Sequence, residues 1–317
     1  MPHFRKILFC APRFDYGLPE LGASPEELHM VHTLLDMGVQ VERFDFRKLI
    51  QELGSPQIVN EALRTELDND YDAVFYVPFE GWEISDETWV FGTDVIKIIW
   101  LFNDAWRYPQ LGKEKCWSFN VVVSDDPRAV DKYKSISYDG KVVYLPRACR
   151  TGWLSGAAPE DVRLYDLTFI GSPYGQRTQI ATAIKELLPD LNIFIGHVDG
   201  RKLPWEEYIR VLRSTKIGLS LGMASGGTEM QIKMRDFEIS ASGAMLLSNN
   251  PGLEEVYDLG VEAILFGQAE DILTKVRYFL DHPDDRIKVA TAGQSRTLAE
   301  HDYTNRFTTL FSLLGNS

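Results

Sequence analysis

Short apolar runs, each followed by a segment of helical spacing, recur through this chain in two series separated by a lapse. In the first half the runs are "RKILFCAP", "VQVERFDF", "DAVFYVPF", "VIKIIWLF", "FNVVVS" and "KVVYLP". They are continuously apolar rather than alternating, which is the pattern of strands buried on both faces of a parallel sheet. The segment "SPEELHMVHTLLDMG" shows how the intervening helices are delimited. Ser24 caps it, Pro25 takes the first helical position, Glu27 completes a capping box and Gly38 stops it. After "PRACRTGWLSGAAPEDVRLYD", a stretch of Gly, Pro, Ala and charge that reads as a linker, the alternation restarts. "DLTFIGS", a helix over 177–188, "LNIFIGH", a helix over 205–213 and "KIGLSLG" follow in order. The helix holding Glu238, "AMLLSNN", a Pro251-initiated helix, "AILFG" and three amphipathic helices complete the chain. The expected class is α/β, as two Rossmann-like domains whose parallel sheets face a central cleft.

Composition narrows the partners. At 317 residues, with 44% hydrophobic and 25% charged residues, the chain can form two cores of ordinary size. Its net charge of −13 is spread evenly, 17 basic against 24 acidic residues over 1–150 and 16 against 22 over the remainder. Nucleic acid and anionic membrane surfaces are therefore not expected partners. No apolar run reaches the length of a membrane span, and "MPHFRKILFCAP" lacks the apolar core of a signal peptide. Cys10, Cys116 and Cys149 are scattered without a CxxC spacing, as reduced thiols would be. A cytoplasmic protein with no integral membrane segment is expected. Any anionic ligand must find basic groups gathered locally against the general field.

Two strand-to-helix connections offer such a gathering. In "GSPYGQRTQI", Gly171 and Gly175 permit close backbone approach, Ser172 and Thr178 bring hydroxyls, and Arg177 brings a forked cation to a helix start. An ordinary connecting turn with a surface arginine fits the same residues. In "GMASGGTEMQIKMRDFEISASG", Ser225, Gly226, Gly227 and Thr228 form a donor-rich loop, and Lys233 and Arg235 supply charge. Glu238, three positions past Arg235, shares its helical face and has the chemistry to accept two hydrogen bonds from a vicinal diol. The alternative is an Arg235–Glu238 ion pair on a solvated face. The small residues Ser240, Ala241, Ser242 and Gly243 favour the first reading, because they allow something to approach the backbone closely. Together the connections suit a nucleoside diphosphate, although neither a P-loop nor a GxGxxG after the first strand is present.

Other polar residues carry less. Asp104, just past "KIIWLF", is placed either as a general base or as a helix cap. Trp100, Trp106 and Tyr108 beside it are sugar-stacking candidates or core. Arg13, Asp15 and Tyr16 lie in the long turn "APRFDYGLPELGAS", where they contact an acceptor or pin the loop. His197 ends a strand and borders a base or is structural; His29 and His32 have no evident third ligand, so no metal site is expected.

An ordered series of motifs resembles the spore-maturation CgeB-like branch of the group-1 glycosyltransferases. It comprises Arg235, Phe237, Glu238 and Gly243; Gly252 to Glu255; Gly260 and Glu262; Tyr278 and Leu280; and His301, Tyr303 and Arg306. "YDLTFIGSPYGQR" and, upstream, "WLFNDAW", "FNVVVSDDPRAVDKY" and "VVYLPRA" extend the likeness over roughly residues 95–310. The resemblance implies a GT-B architecture: an acceptor-side domain over 1–155, a nucleotide-sugar-binding domain over 156–300 and a C-terminal helix, 301–317, packing back toward the first. It implies transfer of a sugar from a nucleoside-diphosphate sugar to an acceptor hydroxyl on a glycan, small molecule or protein. No cofactor or metal is obligatory. Glu238 would hold the ribose, with Arg177, Lys233 and Arg235 on the diphosphate. Gly171, Ser172, His197, Gly226, Gly227 and Thr228 complete the donor site, and Asp104 and Glu229 are the catalytic candidates. Many group-1 enzymes have a glutamate eight residues before the ribose carboxylate; here Met230 stands there and Glu229 lies one place upstream, which leaves the stereochemistry open. A nucleotide-sugar epimerase or hydrolase of the same build, or a non-catalytic nucleotide-sugar sensor, are the alternatives.

Overall fold

The computed structural model describes residues 4–92, 95–156, 162–172, 177–196, 202–223 and 229–315. The chain divides into two units, one of residues 1–147 with 303–317 and one of residues 148–302.

In the first unit six strands, β1 (Lys6–Cys10), β2 (Gln40–Phe44), β3 (Ala73–Tyr76), β4 (Ile96–Leu101), β5 (Val121–Ser124) and β6 (Lys141–Tyr144), form one sheet in the order β2-β1-β3-β4-β5-β6. Every pairing is parallel, with Ile7 opposite Val41 on one side and Ala73 on the other. The helices that return the chain are α1 (His32–Asp36), α2 (Phe46–Leu53), α3 (Pro56–Leu67), α4 (Asp104–Arg107), α5 (Gly112–Lys115) and α6 (Ala129–Ser135). Strands β1, β3, β4 and β5 are buried almost throughout, as continuous apolar runs require. Leu8, Val74, Ile99 and Val122 line one face with Phe46, Leu63 and Tyr133.

Capping of the first long helix is half of what the sequence suggests. Ser24 Oγ accepts from Glu27 N at 3.1 Å, but the Glu27 carboxylate turns to Arg43, 3.0 Å from its Nε. The first turns are π-helical over Glu26–Val31 before regular α geometry begins, and Gly38 ends the helix with φ 80°. The final helix, numbered last below, also belongs to this unit: Phe311 meets Phe4 at 4.9 Å and Phe307 meets Trp100 at 5.6 Å.

In the second unit β7 (Tyr165–Ile170), β8 (Ile193–Gly196), β9 (Thr215–Ser220), β10 (Met245–Ser248) and β11 (Ile264–Leu265) form a parallel sheet in the order β11-β10-β9-β7-β8. Its helices are α7 (Arg177–Leu187), α8 (Trp205–Arg213), α9 (Met234–Ala241), α10 (Ala269–Asp281) and α11 (Pro283–Glu300); α12 (Tyr303–Gly315) closes the chain. Leu167, Phe169, Ile217, Leu219, Met245 and Leu247 form the core with Ile184, Leu188, Ile272 and Val276. The stretch read as a linker is tied to this unit by side chains. Arg213 Nη2 donates to the carbonyls of Trp153 and Ser155 at 2.7 and 2.6 Å, and Asp302 accepts from Thr151 N at 2.7 Å.

Strand order fixes where ligands can enter. In each sheet the chain moves outward on one side, then returns to continue on the other, leaving a crevice beyond the carboxyl ends of two adjacent strands. This reversal falls between β1 and β3 in the first unit and between β7 and β9 in the second.

Candidate functional site

At the β7/β9 reversal the two connections singled out from the sequence come together. Gly171 follows β7, and Arg235 lies in the first turn of α9. A Cβ built on Gly171 would stand 3.2 Å from Arg235 Nη1 and 3.3 Å from Nη2, so a glycine there lets the guanidinium reach the strand end. Both Nε and Nη1 of Arg235 are buried and have no hydrogen-bond partner among the described residues. A buried donor left unmet costs on the order of 1–3 kcal/mol, and more when charged. A ligand that accepts those bonds would offset it.

Two further buried donors lie in the connections that follow β9 and β10. Gln231 is 8% exposed and Asn250 1% exposed; Gln231 Nε2 and Asn250 Nδ2 have no partner among the described residues. Their positions are fixed by the other end of each amide. Gln231 Oε1 accepts from Lys233 Nζ at 2.9 Å, and Asn250 Oδ1 from Gly252 N at 3.1 Å. Gln231 N donates to Gly222 O at 3.0 Å, while a Cβ on Gly222 would stand 2.7 Å from Asn250 Cβ. Asn249 Oδ1 accepts from Gly222 N at 2.8 Å, joining the ends of β9 and β10.

The remaining candidates occupy distinct places around this edge. Arg177 is buried at the start of α7, and its Nη2 donates to the carbonyls of Leu221 and Met223 at 2.8 and 3.1 Å, holding the exit of β9. Ser172 is half-buried beside Gly171. Lys233 caps α9, where Asp236 accepts its N–H at 2.7 Å. The Glu238 carboxylate is buried and accepts from the Tyr208 hydroxyl of α8 at 2.5 Å. Burial, and then the Glu238 charge, push the Tyr208 phenol well above its usual range, so it stays protonated and donates. Arg235 acts on the same phenol in the opposite sense. Glu229 is exposed and immediately precedes Met230, which pairs with Met223 in an antiparallel bridge. His197, Gly226, Gly227 and Thr228 lie outside the described residues, as do Gly175, Ser225 and the Thr178 side chain.

One sequence argument is corrected. Ser240, Ala241 and Ser242 are buried, and the neighbour their small size admits is a helix rather than a ligand. Gln294 Nε2 of α11 donates to Ala241 O at 2.9 Å, and a Cβ on Gly293 of α11 would be 3.6 Å from Ser240 Oγ. The case for Glu238 therefore rests on its place in α9, one turn on from Arg235, not on those residues.

Asp104 lies in the first unit. It is 1% exposed, and its carboxylate accepts from Ser124 Oγ at 2.6 Å and Tyr133 Oη at 3.2 Å. Burial raises its pKa to about 6, against the lowering effect of the Ser124 hydrogen bond. Trp100 is sealed in the core between Phe75 and Phe307 rather than displayed for a sugar. Among the described residues no group of three or more His, Cys, Asp or Glu is arranged to hold a metal ion, and no helix is long and apolar enough to cross a membrane.

The model of the Glycosyl transferase-like family matches residues 152–312, half of the chain and nearly all of the unit that carries this site. The chain belongs to that family. This glycosyltransferase is 22% identical over 236 residues to the spore protein CgeB of Bacillus subtilis, a match covering 67% of the chain and 73% of that protein. Two solved structures share its architecture. Sucrose-phosphate synthase from Thermosynechococcus elongatus superposes with a TM-score of 0.64 at 12% identity, over 99% of this chain and 100% of that one. Anabaena HepE, solved with UDP and glucose, superposes with a TM-score of 0.60 at 13% identity, over 99% and 100%. The glycosyltransferase is thus a CgeB-like member of group 1 with the GT-B fold.

Tyr208, Gln231 and Asn250 were not legible as site residues in the sequence. The only trace was the turn "SNNPG" after β10, whose asparagines knit two strand ends.

Proposed function

We propose that this glycosyltransferase takes a nucleoside-diphosphate sugar, with UDP as the leaving nucleotide, and binds its diphosphate at the β7/β9 strand ends. The single observation that carries this reading is Arg235, whose Nε and Nη1 are buried at a topological reversal beside Gly171 and unmet among the described residues. A diphosphate presents several accepting oxygens to such a fork. The UDP complexes of HepE and of a pneumococcal O-GlcNAc transferase support the choice of nucleotide. Gln231 Nε2 and Asn250 Nδ2 add neutral donors for phosphate or sugar oxygens. Glu238, one oxygen fixed by Tyr208, receives the ribose hydroxyls.

In the reaction the acceptor oxygen bonds to the anomeric carbon as the bond from that carbon to the β-phosphate oxygen breaks. The electron pair leaves with the diphosphate, and the acceptor proton passes to a base or to the departing phosphate. Charge grows on the diphosphate as the bond stretches, so cations already aimed there lower the barrier without reorganising. Arg235 carries most of that role, with Lys233 beside it and Arg177 shaping the β9 exit. Metal is not required on this reading, and turnover in EDTA equals turnover without it. Glu229 is the candidate to contact the donor sugar. Burial of Asp104 and its bonds from Ser124 and Tyr133 favour a structural role for it at the β4–α4 turn over the role of base.

The test is UDP released from UDP-glucose and other UDP-sugars, with the products separated to distinguish transfer from hydrolysis and epimerisation. Arg235→Ala is expected to lower turnover by about 10²–10³-fold, as loss of one charge-stabilising donor does elsewhere. Glu238→Gln, which leaves Tyr208 an acceptor, is expected to raise the KM for the donor. Unchanged kinetics in both variants would remove the diphosphate from this edge.

A further inference from the structure

The first unit has its own reversal, between β1 and β3, and the two loops that leave those strands build a surface of that unit alone. The loop after β1 is closed on itself: Asp15 N donates to Gly22 O at 3.0 Å, Ser24 N to Arg13 O at 2.8 Å, and Phe14 bridges Ala23. Within it Tyr16 has φ 52°, a left-handed conformation that an aromatic residue rarely adopts. The turn after β3 is held from below by Glu83, a wholly buried carboxylate that accepts the N–H groups of Glu80 at 2.6 Å and Gly81 at 2.7 Å. Gly81 has φ 100°.

Arg47, in the first turn of α2, joins the two loops. A Cβ on Gly17 would stand 3.0 Å from Arg47 Cβ. The Arg47 guanidinium lies 4.9 Å from the Phe79 ring centroid and 6.0 Å from that of Trp82. Tyr16 meets Phe79 edge-on at 5.7 Å. Glu80 Oε2 accepts from both Arg47 Nη1 at 3.2 Å and Trp82 Nε1 at 2.8 Å, which fixes the indole. Despite all this support Tyr16 and Trp82 are each 52% exposed.

Single exposed apolar side chains need no explanation. Here a disfavoured backbone angle, a buried carboxylate and a locked indole serve to hold two rings half in water at the position where an open α/β sheet takes its ligand. The chemistry offered is two aromatic faces with a carboxylate and a guanidinium at their rim. Glu80 Oε1 has no hydrogen-bond partner among the described residues. A pyranose matches this set, since its ring presents an apolar C–H face surrounded by hydroxyls. We propose that Tyr16 and Trp82 form a stacking platform for a pyranose ring of the acceptor, with Glu80 and Arg47 taking its hydroxyls. The proposal rests on the transferase reading for the word acceptor; the saccharide site itself stands on the first unit alone.

Calorimetric titration of the intact chain with maltotriose, cellotriose and N,N′-diacetylchitobiose tests it. At least one of these should bind the wild type, and Trp82→Ala should weaken that saccharide about tenfold or more. Tyr16→Gly, which removes the ring while keeping a residue at ease with positive φ, should do the same without lowering the melting temperature. Arg235→Ala should bind the saccharide as the wild type does, whatever happens to its UDP affinity, so the two readings fail separately. If no saccharide binds the wild type, or both aromatic variants bind with wild-type affinity, the platform is refuted.

Discussion

Arg235 and Glu238 were readable as a pair because an i, i+3 spacing places them on one face before any fold is known. What the spacing could not tell was the state of each. Glu238 is engaged by Tyr208, thirty positions away in sequence, whereas Arg235 keeps two buried donors unmet among the described residues. Gln231 and Asn250 acquired meaning only when β9 and β10 were laid side by side, since a lone glutamine or asparagine in a loop carries no signal. Asp104 shows the converse. A carboxylate just past a strand reads as a base or a helix cap, and only the fold shows that β5 and α6 bring Ser124 and Tyr133 onto it. Its pKa, raised from 3.8 to about 6 chiefly by burial, gives a signed prediction. The folded state holds the proton more tightly, so the Asp104 contribution to stability is full below pH 3.8 and is lost as pH rises through 6. Asp104→Asn should therefore gain on the wild type by about 2 kcal/mol between pH 4 and pH 6.5. Urea unfolding of both proteins at the two pH values reads this directly, and parallel pH profiles would contradict it.

At the scale of elements, the continuous apolar runs located the strands, and the helix expected over 205–213 is α8 as it stands. Capping chemistry gave the ends but not the winding: Ser24 and Gly38 bound their helix, while its first turns widen to π geometry around Glu27, which is engaged by Arg43. The small residues after Glu238 were harder, because close approach to a helix and close approach to a ligand demand the same side chains. Packing decides it through the Gln294 bond to Ala241 O, and the neighbouring Gly293 is itself closely packed. A Cβ there would lie 2.3 Å from Glu262 O. Helix propensity favours alanine by about 1 kcal/mol. Overpacking against rigid backbone costs about 1–3 kcal/mol, so the upper end of that range prevails. Gly293→Ala should lower the urea midpoint, whereas Gly152→Ala, with nothing within 4 Å of the added carbon, should leave it unchanged.

For the whole molecule, the ordered motif series identified the family more surely than it identified chemistry. Several of its members hold the fold. Glu262 pairs with Arg296, His301 contacts Val256 O through its Nε2, and Arg306 donates to the Pro146 and Arg147 carbonyls. The proposed functional edges depend instead on strand order, which no motif records: Gly171 and Arg235 meet at one reversal, and Tyr16 and Trp82 stand half-exposed on the loops that leave the strands of the other. Calorimetric titration of the intact wild type and Arg235→Ala with UDP bears most directly on the first of these. The wild type should take up one UDP per chain, and the variant, still folded by its melting temperature, should bind it at least tenfold more weakly. Equal affinity in the two proteins, or no uptake of UDP by the wild type, would contradict the assignment.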